Sequence, residues 1–178
     1  MATMANQRII LLRHAEKPSL DGQIGGGDIM GRPDADELSV RGWQRAGALA
    51  RFFAPGGGDL GVPDALFAQR PTPEHPSRRC ISTLQPLAER LGHPLDQRFQ
   101  RGEEAELAEA LSRVDGLALA AWDHRHLGKI ARALLGDADP GPPEWPEDCF
   151  DRLWLFSREG AGWRFEERAQ DLLGGDAR

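Results

Sequence analysis

Apolar residues come in short continuous runs that end in charge. Ile9, Ile10, Leu11 and Leu12 run together and stop at Arg13, His14, Glu16 and Lys17. A run this short, bounded by polar and charged residues, predicts a buried strand over 8–13 in a central, parallel position. "GLALAAW" over 116–122 repeats the pattern and ends at Asp123, His124, Arg125 and His126, and "DALFAQR" over 64–70 ends at Arg70. Between these runs the period lengthens. Ser39 reads as an N-cap for a helix whose Trp43, Ala46, Leu49, Ala50 and Phe53 share one face and which stops before Pro55. "SRRCISTLQPLAERLG" predicts a helix over about 77–91 with Gly92 as its cap, although Pro86 inside it threatens a kink or a break worth about 3 kcal/mol. Further helices are expected over 103–113 and 127–136, and "FDRLWLFSREGAGWRFEER" alternates around a glycine turn as a β-hairpin does.

This order of elements predicts an α/β fold, a three-layer α/β/α sandwich with a mostly parallel central sheet. Right-handed crossovers then bring the carboxyl ends of the parallel strands to one edge, where such sheets hold their ligands. Arg13, His14, either Arg70 or Arg79, and His124 can converge there.

Length and composition narrow the reading. The 178 residues suit a single domain over 1–178, with the tail 170–178 expected to be flexible. A net charge of −6 opposes nonspecific nucleic-acid binding but leaves room for a local basic pocket. The polar opening MATMANQ and the four-residue apolar run after it predict neither a signal peptide nor a membrane span, so no membrane partner is expected and the location is expected to be cytoplasmic. Cys80 and Cys149 lack metal-type spacing, and no metal or cofactor is expected. The glycines between 22 and 31 make a long loop without the strand and helix of a dinucleotide fingerprint.

Histidines and arginines at strand ends fit a phosphoryl group. Guanidinium binds phosphate oxygens through paired hydrogen bonds, and a neutral imidazole nitrogen can attack phosphorus. Arg13 and Arg79 would disfavour the charged form of His14, and a backbone carbonyl could fix its tautomer. Glu103, Glu104, Glu106 and Asp123 are the candidates for a proton donor. Glu16 and Lys17 either line the pocket mouth or pair with each other, and His126 is the rival of His124. His75 and His93 read as surface residues.

Four segments in order carry a resemblance to a known family. "LLRHAEKP", "LSVRGWQRAGALARFF", "SRRCISTLQPLAERLG" and "LALAAWDHRHLGKIARALLG" together resemble the histidine phosphatase superfamily, which includes phosphoglycerate mutase-like enzymes and short bacterial phosphohistidine phosphatases. The resemblance covers most of 8–136. It implies a phosphoglycerate mutase-like fold, His14 as the phosphorylated nucleophile, and Arg13, Arg79 and His124 as phosphate ligands, Arg79 being chosen by its Arg-x-x-x-Thr distance to Thr83. The chain departs from the family's pattern at Ala15, where many members have Gly, and in "QRPTPEHPSRR", where Ser-Pro is usual. One branch carries its acid on a Glu between the second arginine and the second histidine, which points to Glu103 or Glu104. Another places an Asp after the second histidine, whereas here Asp123 precedes it.

The expected activity is metal-independent hydrolysis of a phosphomonoester or phosphoramidate on a small molecule or a phosphoprotein, with inorganic phosphate in the pocket. A phosphomutase is the enzymatic rival. A phospholigand- or protein-binding domain without turnover is the rival of another kind.

Overall fold

The computed structural model describes residues 7–137 and 141–176. Its elements follow as β1 (Arg8–Arg13), α1 (Val40–Phe53), β2 (Ala65–Ala68), α2 (Arg79–Leu91), β3 (Leu95–Asp96), α3 (Glu104–Ser112), β4 (Leu117–Trp122), α4 (His124–Leu135), β5 (Arg152–Glu159) and β6 (Gly162–Ala169).

Six strands form one sheet in the order β3-β2-β4-β1-β5-β6. The pairs β2–β3, β2–β4 and β1–β4 are parallel, while β1–β5 and β5–β6 are antiparallel. The sheet is therefore mixed rather than mostly parallel: the tight reversal between Glu159 and Gly162 turns the last two strands into a hairpin on the β1 side.

Successive side chains of a strand point to opposite faces, and β1 uses both. Ile10 and Leu12 pack with Leu49 and Phe53 of α1 and Leu84 and Leu87 of α2. Ile9 and Leu11 pack with Leu107 and Leu111 of α3 and Leu127 and Ile130 of α4. Helices thus cover both faces and make the three layers. Trp122, Trp145 and Trp154 are buried in the second of these cores.

Two helices differ from expectation. α2 runs unbroken through Pro86, which lies on its half-buried side while Leu84, Leu87 and Ala88 hold the helix against the core. α4 begins at His124 instead of 127, because the Asp123 carboxylate accepts the Arg125 amide at 2.9 Å and caps it. Residues 170–176 also fold onto the body rather than hanging free: Gln170 is buried, and Asp176 binds Arg45 of α1. Residues 177 and 178 lie outside the described residues. Among the described residues no helix is long and apolar enough to cross a membrane.

Candidate active site

β1 ends at Arg13, β4 is followed by Asp123 and His124, and α2 opens with Arg79, so one edge of the sheet collects these side chains. They line a pocket of about 210 Å³. Lys17, Gln69, His75, Arg101 and Arg125 complete its charged and polar wall. Five cations, Arg13, Lys17, Arg79, Arg101 and Arg125, face one lining carboxylate, Asp123, in a chain whose net charge is −6. The net charge leaves room for a local basic pocket, and the fold assembles one here.

Arg13 is fully buried. Its Nη1 donates to the carbonyls of Glu147 and Cys149, and its guanidinium carbon lies 3.9 Å from the centre of the Phe150 ring. Its Nε and Nη2 have no partner among the described residues. Burial lowers the Arg13 pKa to about 10, so the group stays charged at neutral pH. A buried cation with two unpartnered nitrogens is costly unless something accepts their N–H groups, and an anion in the pocket would.

His14 is 8% exposed. Its Nδ1 lies 2.7 Å from the Ala15 carbonyl, which fixes the tautomer: Nδ1 carries the proton and donates, and Nε2 keeps its lone pair. Burial pushes the imidazolium down to about 3 against that hydrogen bond, and the Arg13 and Arg79 charges push the same way. The ring is neutral at physiological pH.

Three contacts hold the turn that carries this ring. The Ala15 amide donates to Thr83 Oγ1 at 2.8 Å, and Thr83 Oγ1 donates to the Arg79 carbonyl at 2.6 Å, so the Arg-x-x-x-Thr spacing on α2 ties the histidine turn to the second arginine. The Ser39 amide donates to the Glu16 carbonyl at 2.9 Å. α1 approaches so closely that a Cβ on Gly42 would sit 2.3 Å from the Glu16 carbonyl oxygen.

Arg79 is aimed by the end of the long glycine-rich loop: its Nε donates to Glu37 O at 3.1 Å and its Nη2 to Ala35 O at 2.6 Å. Arg70, the alternative, is exposed and donates to Gln100 Oε1 at 2.8 Å away from the pocket. Burial lowers the Arg79 pKa. His124 lines the pocket, and burial, followed by the Arg13 charge, lowers its pKa to about 4. His126 does not line it; its Nδ1 faces Asp123 Oδ2 at 3.7 Å from the flank of α4.

The expected acids are placed otherwise. Glu103 stays outside the pocket because its Oε2 accepts the Gln100 amide at 2.9 Å at the start of α3. Glu104 is buried and accepts from the Gly102 amide at 3.0 Å and from Trp122 Nε1 at 3.3 Å. Asp123 does line the pocket, but Arg101 Nη2 donates to its Oδ2. Burial raises its pKa, yet the Arg125 amide and the Arg101 charge outweigh burial and hold it below the ordinary carboxylate value. Glu16 does not reach the mouth: its oxygens accept from Arg45 Nε and Nη2 at 2.8–3.1 Å, and Arg41 lies 3.2 Å away. Lys17 does line the pocket.

Two further residues line the pocket: Arg101, which the sequence did not single out, and His75, which is exposed as expected yet borders this space. Arg101 Nη1 lies 3.1 Å from His75 Nε2, and its own Nε is buried without a partner among the described residues. No local signal marks Arg101, which stands in the loop before α3 and meets Asp123 only through the fold.

No family model matches the chain, and no curated protein matches it. Among solved structures the fold is similar to that of the "putative phosphohistidine phosphatase SixA" from Agrobacterium tumefaciens, with a TM-score of 0.52 and 19% identity over 92% of this chain and 97% of that one. The likeness at this identity is one of fold.

Proposed function

We propose that the protein is a metal-independent phosphatase working through a phosphohistidine on His14. The observation that carries the reading is the pair at the end of β1: a neutral His14 with its Nε2 lone pair free, next to a buried Arg13 with two unpartnered guanidinium nitrogens. In the first step Nε2 attacks phosphorus and the leaving oxygen or nitrogen departs with the bonding pair. Arg13, Arg79 and His124 hold the phosphoryl oxygens, with Lys17 at the rim. In the second step water attacks the phosphohistidine, inorganic phosphate leaves and His14 is regenerated. Positioning and stabilisation of the equatorial charge supply most of such a rate enhancement. The substrate is a phosphomonoester or phosphoramidate of a small molecule or protein, and the solved structure of similar fold bears a name of that chemistry.

One observation favours a second reading. Arg101 keeps Asp123 ionised, so no carboxylic acid among the described pocket residues is free to protonate a poor leaving group. Such a pocket suits leaving groups that need little protonation, or a domain that binds phosphoryl ligands without turnover.

The test is phosphate release from 4-nitrophenyl phosphate in the presence of EDTA by the wild type and by His14→Ala. Activity that survives chelation and vanishes in the variant supports the phosphatase. A folded wild type that binds vanadate yet releases no more phosphate than the variant overturns it in favour of the binding domain.

A further inference from the structure

The pocket does not end at His124. That residue and Arg125 also line a second, larger groove of about 700 Å³ along the outside of α4, so the two spaces share a wall. Arg125, Lys129 and Arg132 border the groove from α4, and Glu144 and Glu147 border it from the segment before β5. Spacings of four and three residues put the three cations on one helix face. With a rise of 1.5 Å per residue, Lys129 lies about 6 Å and Arg132 about 10 Å beyond Arg125 along the axis.

Lys129 and Arg132 are exposed, and among the described residues their side chains have no ion-pair or hydrogen-bond partner. Arg125 and Glu147 approach to only 3.6 Å and are mostly exposed, a contact that a better anion displaces easily. α4 itself contains no carboxylate. Arg132 in the last turn also complements the helix dipole, which accounts for one cation but not for the row.

Gly128 is an independent observation. It sits inside α4 on the floor of the groove, where glycine is destabilising relative to alanine. Beyond its own helix turns and chain neighbours, no atom of the described residues lies within 4 Å of the Cβ position it lacks. Packing inside the protein therefore does not require glycine here, and its effect is to keep the groove floor low between Arg125 and Arg132.

We infer that this groove is a substrate subsite for a second anionic group, so that the protein selects phosphate esters carrying a further phosphate or carboxylate that reaches past Arg125 to Lys129 and Arg132. The inference rests on the phosphatase reading of the adjoining pocket. Lys129 and Arg132 provide the charge, Gly128 the room, and Glu144 and Glu147 set the far wall.

The experiment compares inhibition of 4-nitrophenyl phosphate hydrolysis by alkanediol bisphosphates of increasing chain length with that by the matching alkyl monophosphates. The wild type is expected to bind the best bisphosphate about tenfold or more tightly than its monophosphate, with an optimum at intermediate length, because two exposed charge-assisted contacts are added. In Lys129→Gln/Arg132→Gln the ratio falls toward one. In Gly128→Leu the bisphosphate also weakens, while the melting temperature does not fall, which separates a filled groove from a damaged fold. A wild-type ratio near one, or a ratio unchanged in both variants, overturns the subsite. If the wild type hydrolyses nothing, the phosphatase reading fails on its own account, and calorimetric affinities of the same ligand pairs decide the subsite by the same ratios.

Discussion

A carboxylate lining the basic pocket donates a proton only if it holds one at working pH, and Asp123, beside the Arg125 amide and Arg101, does not. Its Oδ1 lies 3.5 Å from Nδ1 of His124 without a hydrogen bond between them, so it acts on that imidazole as a neighbouring negative charge. Asp123→Asn is therefore expected to lower kcat by similar factors for 4-nitrophenyl and phenyl phosphate. An acid worth about a hundredfold or more would be missed mainly with the poorer leaving group, and that preferential loss would contradict the reading of Asp123 as a permanent negative charge. His14 has a separate signature in stability. Its folded-state pKa is about 3 against an ordinary value of 6.5, so between those limits the unfolded chain takes up a proton that the folded one refuses. Its neutral burial is harmless above pH 6.5 and costs increasing stability as pH falls toward 3, with His124 adding to the slope. Melting temperatures at pH 7 and pH 4.5 should show a clear drop for the wild type and a smaller one for His14→Asn. The strand-end charges were legible because they interrupt apolar runs; Arg101 was not, since its only distinction is a partner 22 residues away.

At the scale of elements, the strand and helix order was readable because each has its own period, and α2 and α3 lie within a residue or two of their expected bounds. The start of α4 was not. Asp-His-Arg-His has no apolar face to mark a helix, and only the capping carboxylate of Asp123 extends it back to His124. What positions His14 is an approach between elements that no single segment reveals: α1 lies against the turn after β1, with Gly42 admitting the Glu16 backbone. Gly42→Ala would force a methyl into that carbonyl. Overpacking of this kind costs about 1–3 kcal/mol. Gly42→Ala should therefore melt at a lower temperature and lose kcat as the His14 turn shifts. A variant with wild-type melting and turnover would show that the turn is held by Thr83 and Ser39 alone.

Across the whole molecule, the last described residues reach back to the site. Asp176, whose side chain is 1% exposed, binds Arg45, 2% exposed, and Arg45 in turn binds Glu16 two positions after the proposed nucleophile. Arg45 depresses the Asp176 pKa to about 2, so this contribution is complete above the ordinary value of 3.8 and is lost as pH falls through 2. Asp176→Ala leaves Arg45 paired with Glu16 but without its second carboxylate, and should cost about 2 kcal/mol in urea unfolding; a loss under about 1 kcal/mol would mean that water replaces the carboxylate. This tail read as flexible because its nine residues carry no helix or strand pattern, and Arg45, the partner of Asp176, lies 131 residues earlier. The layered fold, the basic pocket in an acidic chain and the tail that braces it all converge on one nitrogen. The most direct measurement is mass spectrometry of the protein quenched in base after mixing with an aryl phosphate. The account predicts one phosphoryl group on the peptide containing His14 and none in His14→Asn; turnover with no phosphohistidine, or with the phosphoryl on His124, would contradict it.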